Sequence, residues 1–180
     1  MSTSFNIKFV FDRKESESLN KMLAWISEHS HSYDNARIKF NETQSFKEFN
    51  FGPTEEFDFS KGVPYCSFTV SFMVEKSDEL INKLIEELKY TLEEVNKNEK
   101  NCHPGHLCLG YFYLEILYEK NELVLDFKAS VFNLGNLFME YNATRKIMLD
   151  FCKKFNPKEA YIEIEDEKDE VFWPLKNRKR

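Results

Sequence analysis

Two long apolar runs in the second half of the chain, Leu107 to Tyr118 and Leu123 to Phe132, are separated only by Glu119-Lys120-Asn121-Glu122. A polar link of that length cannot hold the crossover that parallel strands require, so the two runs must pair as an antiparallel hairpin. In the first run both alternate sets of residues are largely apolar, which predicts an inner strand covered on both faces or lying in an interface. The rest of the chain has to be arranged around this hairpin.

Phe5, Ile7, Phe9 and Phe11 alternate with Asn6, Lys8, Val10 and Asp12, the period of a strand with one apolar face. Asp12 and Glu15 have capping-box spacing, and Leu19, Met22, Leu23 and Ile26 then recur at helical spacing. This predicts a helix from about residue 14 to 29 with Trp25 near its apolar edge. Ala36, Ile38 and Phe40 alternate briefly, and the segments Phe46 to Phe51 and Glu55 to Phe59 flank Gly52-Pro53-Thr54, a strand-turn-strand pattern. Phe68, Val70, Phe72 and Val74 give a clean one-sided strand.

Ser77 is an N-cap residue followed by Asp78 and Glu79, where the helix dipole favours negative charge. Leu80, Ile81, Leu84, Ile85, Leu88, Leu92 and Val95 then predict one helix of about five turns that ends near Asn98. Asn142 or Thr144 can cap a third helix with Ile147, Met148, Phe151 and Phe155 facing inward, and Asn156-Pro157 stops it. Tyr161 to Glu165 is a further strand, and Val171 to Trp173 a short edge piece ended by Pro174. The mixed order of strands and helices predicts an α+β fold: a single domain over residues 1–175, mostly antiparallel, with about three helices on one face. Lys176 to Arg180 form a basic C-terminal tail.

At 180 residues with 42% hydrophobic and 16% aromatic content, the chain can bury a core. A net charge of -6 and a pI of about 5.4 argue against nucleic-acid binding by direct phosphate contact. No apolar run reaches the length of a membrane helix, and the N-terminal residues lack the layout of a secretory signal, so a cytoplasmic protein without a membrane partner is expected. The scattered cysteines Cys66, Cys102, Cys108 and Cys152 read as reduced thiols.

The isolated glycines make no phosphate-binding loop or nucleophile elbow, so no cofactor is expected. The densest cluster of reactive side chains is Cys102-His103-Pro104-Gly105-His106-Leu107-Cys108. Its thiols and imidazoles are zinc-ligand types, which makes Cys102, His103, His106 and Cys108 metal candidates, or a Cys/His catalytic pair. The paired spacing of structural zinc sites is missing, and four ligands so close in sequence would strain a tetrahedron. His29 and His31 are placed to interact with the negative end of the first helix.

The acidic residues Glu163, Glu165, Asp166, Glu167, Asp169 and Glu170 are expected to crowd one sheet end and to steer a basic partner. Phe46, Phe49, Phe51, Phe57 and Phe59, with Tyr111, Phe112 and Tyr113, supply more rings than three helices readily cover. An uncovered aromatic patch is a docking surface. The sequence therefore points first to a non-enzymatic module that binds a basic protein, such as an inhibitor, immunity protein or antitoxin. A metal or Cys/His enzyme at residues 102–108 ranks second, and a homo-oligomeric structural or phage accessory protein third.

Overall fold

In the computed structural model, which describes residues 3–12, 18–32, 36–39, 47–49, 56–58, 66–119 and 121–175, the central hairpin is the spine of a seven-stranded sheet. The first elements are β1 (Phe5–Asp12), α1 (Leu19–His29), β2 (Ser30–Ser32), β3 (Ala36–Lys39), β4 (Lys47–Phe49), β5 (Glu56–Asp58) and β6 (Cys66–Glu75). There follow α2 (Asp78–Leu88), α3 (Leu92–Lys100), β7 (His106–Glu119), β8 (Glu122–Ala129), α4 (Phe132–Glu140), α5 (Asn142–Phe155), β9 (Glu159–Ile164) and β10 (Glu167–Trp173). The large sheet runs β10-β9-β1-β8-β7-β6-β2 with every neighbouring pair antiparallel. The α+β class follows directly.

Strand alternation decides which side chains meet the helices. Phe5, Ile7, Phe9 and Phe11 of β1, Leu114 and Ile116 of β7, and Leu123, Leu125 and Phe127 of β8 share one core. Leu23 and Ile26 of α1, Leu80 and Leu84 of α2, Val95 of α3, Leu137 and Phe138 of α4, and Met148 and Phe151 of α5 complete it. Much of its contact is between rings. Phe9 meets Phe151 at 4.9 Å between centroids, and Phe138 meets Phe112 at 5.2 Å and Phe72 at 5.4 Å. Such pairs add about 0.5–1.5 kcal/mol each beyond the area they bury.

Among the described residues, five helices form where about three were expected. The long second helix is broken between α2 and α3, because Lys89 adopts a left-handed conformation (φ 60) and Tyr90 N–H closes back on the Leu84 carbonyl at 3.1 Å. Thr91 then starts α3 with a full capping box: its hydroxyl accepts from Glu94 N–H, and the Glu94 carboxylate accepts from Thr91 N–H. Ser77 caps α2 as expected, accepting from Leu80 N–H at 3.1 Å. The fifth helix, α4, follows the second apolar run, taking only Phe132 from it and filling a stretch that the sequence pattern assigned to no element. It has no capping side chain and contains Gly135. A Cβ at Gly135 would stand 2.5 Å from Phe5 Cδ1 and 2.8 Å from Ala129 Cβ, so the glycine is what lets α4 lie against the sheet.

Other boundaries shift for local reasons. Asp12 does not cap α1, since it remains in β1 paired with Glu122; α1 instead begins at Leu19 after Ser18. Thr144 lies inside α5, buried, with its hydroxyl donating back to the carbonyls of Phe138 and Tyr141. The link between β7 and β8 is two residues rather than four, because Glu119 and Glu122 already pair. The segments around Gly52-Pro53 do not form a hairpin with each other: β4 and β5 both pair with β3, antiparallel and parallel respectively, in a separate three-stranded sheet.

Candidate functional site

The acidic run forms a hairpin at the edge of the large sheet. β9 and β10 are joined by Glu165 and Asp166, both with positive φ (52 and 65), so the chain reverses in two residues and the acidic stretch extends along edge strand β10. Of the six carboxylates expected at one sheet end, four stand in or beside this turn with no ion pair among the described residues, and two are held by cations. Glu165, Asp166, Glu167 and Asp169 are exposed, and among the described residues none of the four makes an ion pair. Glu170 is paired with Arg145 of α5. Glu163 points to the sheet face opposite the helices and lies 2.8 Å from Lys8. The free negative charge is therefore carried by four residues, with Lys168 among them held by Glu159 at 2.7 Å and stacked over the Tyr161 ring at 4.2 Å.

The face away from the helices carries a charged network. Register places Glu115 of β7 beside Asp126 of β8, Asp126 beside Lys8 of β1, and Lys8 beside Tyr161 of β9. One residue pair further along, Lys128 lies between Tyr113 and Asn6, and Asn6 pairs with Glu163. The Lys128 ammonium contacts Glu115 at 2.6 Å, and Asn6 donates to Glu163 at 3.3 Å. Asp126 is only 2% exposed, its nearer oxygen is 3.8 Å from Lys8, and its Oδ1 has no hydrogen-bond partner among the described residues.

Burial pushes the Asp126 carboxyl up to about 6, against the pull of Lys8 and Lys128 and with help from Glu115 and Glu163. For Lys8, burial alone would lower the pKa. The hydrogen bond to Glu163 and the charges of Asp126 and Glu163 outweigh it and hold the ammonium above its usual range. A cleft of about 500 Å³ at the end of this face brings Asn6 and Lys128 together with Ser130, Phe132 and Asp166 of the hairpin turn.

The loop 102–108 brings together two of its four reactive groups. Cys108 Sγ donates to Cys102 Sγ at 2.8 Å. Two thiolates on one tetrahedral zinc stand about 3.7 Å apart, given Zn–S bonds of about 2.3 Å. His106 Nδ1 is hydrogen-bonded to the Pro104 carbonyl at 3.1 Å. Among the described residues no group of three or more His, Cys, Asp or Glu is arranged to hold a metal ion.

The aromatic half of the expected docking patch divides differently. Phe112 is fully buried, Tyr113 is 47% exposed on the charged face, and Tyr111 is half-buried with its hydroxyl accepting from Asn98. Phe49 and Phe57 belong to β4 and β5. Phe46, Phe51 and Phe59 lie outside the described residues, as does the tail from Lys176 to Arg180. His29 does bind the end of α1, its Nδ1 2.7 Å from the Trp25 carbonyl with the two rings stacked at 3.9 Å.

No protein-family model, curated protein or solved structure matches this chain.

Sequence reasoning missed the charged face, although a signal for it exists. Lys8, Glu115, Asp126 and Lys128 are charges embedded in otherwise apolar strand runs, at the parity opposite to the phenylalanines. Among the described residues, no helix is long and apolar enough to cross a membrane.

Proposed function

We propose that this chain is a cytoplasmic, non-enzymatic protein-binding module that docks a basic protein through its acidic edge hairpin and neutralises it, as an inhibitor, immunity protein or antitoxin does. The observation that carries the reading is the exposure of Glu165, Asp166, Glu167 and Asp169, unpaired among the described residues, on one hairpin. Fixed like charges on a rigid strand speed the encounter with an oppositely charged surface. Strand addition at this edge is a poor alternative, because register shifts between Lys168 and Glu170 and between Val171 and Trp173 interrupt the ladder. Recognition at this edge therefore rests on side-chain charge.

The test compares the parent with E165Q/D166N/E167Q/D169N. A partner recovered from the source cells by the parent should be basic. The variant should associate with it roughly tenfold more slowly at low salt, with a flatter salt dependence. Equal association rates and equal salt slopes, or a partner that is itself acidic, would defeat the proposal.

A further inference from the structure

The chain leaves α3 at Lys100 and re-enters the sheet at His106, and the short connection is tied at several points. Cys102 N–H donates to the Glu99 carbonyl at 3.1 Å and His106 N–H to the His103 carbonyl at 2.9 Å. Gly105, at φ +76, turns its carbonyl to accept from Lys76 N–H at 2.9 Å, which fastens the loop to the residue after β6. Asn98, in the last turn of α3, grips the backbone of Cys108 with both ends of its amide: it accepts from Cys108 N–H at 2.8 Å and donates to the Cys108 carbonyl at 2.9 Å. Both cysteines are thus positioned by their backbones, and their sulfurs meet at 2.8 Å. A covalent S–S bond of about 2.05 Å needs them to close by less than about 1 Å.

The two thiols differ in access. Cys108 is buried, whereas Cys102 is only half-buried and lines an open cleft of about 420 Å³ with Asn96, Glu99, Lys100 and Pro104. A small molecule can reach the first sulfur, and the second stands directly behind it.

We propose that Cys102 and Cys108 form a reversible two-electron redox site whose substrate class is small hydroperoxides, with Cys102 the attacking sulfur and Cys108 the resolving one. In the first step the Cys102 thiolate attacks the outer peroxide oxygen. An S–O bond forms, the O–O bond breaks, and the leaving oxygen takes a proton to depart as alcohol, or as water from hydrogen peroxide. Cys102 becomes a sulfenic acid. Cys108 sulfur then attacks Cys102 sulfur: the S–S bond forms, the S–O bond breaks, and the hydroxyl leaves as water with the proton from Cys108. Two thiols are oxidised and one peroxide is reduced. A dithiol reductant attacking the Cys102 sulfur from the cleft restores the starting state and is itself oxidised to a disulfide.

The division of roles agrees with the surroundings of each sulfur. Burial first, then the hydrogen bond and charge of Cys102, push Cys108 up to about 12, so at neutral pH it is a protonated thiol that does not attack peroxide itself and gives its proton to the departing hydroxyl as it attacks Cys102. This site is independent of the acidic hairpin, and either assignment can fail without the other.

The experiment uses the full chain, reduced and freed of reductant, treated with stoichiometric hydrogen peroxide, then alkylated and digested for mass mapping. The expected product has lost two hydrogens and yields one cross-linked peptide joining Cys102 to Cys108, with Cys66 and Cys152 alkylated. The C108S variant should stop at a Cys102 sulfenic acid that dimedone traps, and C102S should consume peroxide roughly tenfold or more slowly. Cross-linking to Cys66 or Cys152, over-oxidation of Cys102 in the parent while Cys108 stays free, or four unreacted thiols would each overturn the proposal. The parent map alone decides between these outcomes, whatever the variants do to folding.

Discussion

Asp126 holds an oxygen sealed from solvent with no donor opposite it among the described residues, and an ionised carboxylate in that position loses hydration that Lys8 at 3.8 Å only partly replaces. The folded state therefore holds the proton more tightly than the unfolded chain, with a carboxyl near 6 against about 3.9 when unfolded. The sign follows from linkage: stability from the protonated carboxyl is fully present below about pH 3.9 and is lost as pH rises through about 6, a change on the order of 2–3 kcal/mol. The D126N variant lacks this titration. Relative to the parent, it should become more stable, its free energy of unfolding rising by about 1–3 kcal/mol between pH 4.5 and pH 8 in urea titrations. An equal difference at both pH values would mean that Asp126 is already ionised at the lower one. Gly135 supports a second prediction at this scale. Alanine raises helix propensity by about 1 kcal/mol, yet its methyl would meet Phe5, itself 2% exposed and unable to move aside. Overpacking costs about 1–3 kcal/mol, so G135A should lower the urea midpoint, the reverse of a glycine-to-alanine change on an open helix surface.

The break between α2 and α3 shows what an element takes from its local sequence. Apolar spacing runs through Leu88, Leu92 and Val95 without a fault, but Leu92 is 64% exposed while Val95 is buried. Periodicity counted both as core; the Thr91-x-x-Glu94 signal was present and went unread. T91A should cost about 1 kcal/mol by urea unfolding, since the Glu94 N–H loses its acceptor at the start of α3. No change in midpoint would mean that packing at Val95 alone sets where α3 begins. β1 and β6 were legible because one face alternates large apolar side chains, and the β7–β8 pair because two long apolar runs are joined by a short polar link. α5 was legible from its inward residues and its Asn156-Pro157 stop. α4 was not, because its stability comes from docking against Phe5 and Ala129 rather than from a cap or an uninterrupted helical sequence. The same limit applies to the candidate sites. The composition of the acidic hairpin and of the 102–108 loop was readable, whereas the pairing of Glu163 with Lys8, of Glu170 with Arg145 and of Cys102 with Cys108 depends on contacts that only the fold creates.

At the scale of the molecule, an open antiparallel sheet has two edges, and each is an invitation to pair with another copy. Among the described residues, strand β2 is the three residues Ser30–Ser32 and pairs with Val70 to Phe72 of β6, by itself too short a template for a stable ladder. The longer edge, β10, is interrupted by two register shifts and carries exposed Glu167 and Asp169. Two copies meeting there would set like charges against each other across a partly desolvated seam, and opposed like charges on paired strands destabilise the pairing. The acidic edge that would attract a basic partner thus also opposes self-association, which weighs against a homo-oligomer built through this edge. Light scattering on a sizing column should find the chain monomeric at micromolar concentration in low salt. Replacing Glu167 and Asp169 together by threonine keeps strand propensity, removes the repulsion, and should shift the protein towards dimers or larger species at the same concentration. A parent that is dimeric in low salt, or a double variant that stays monomeric as concentration rises, would show that charge is not what keeps this edge apart.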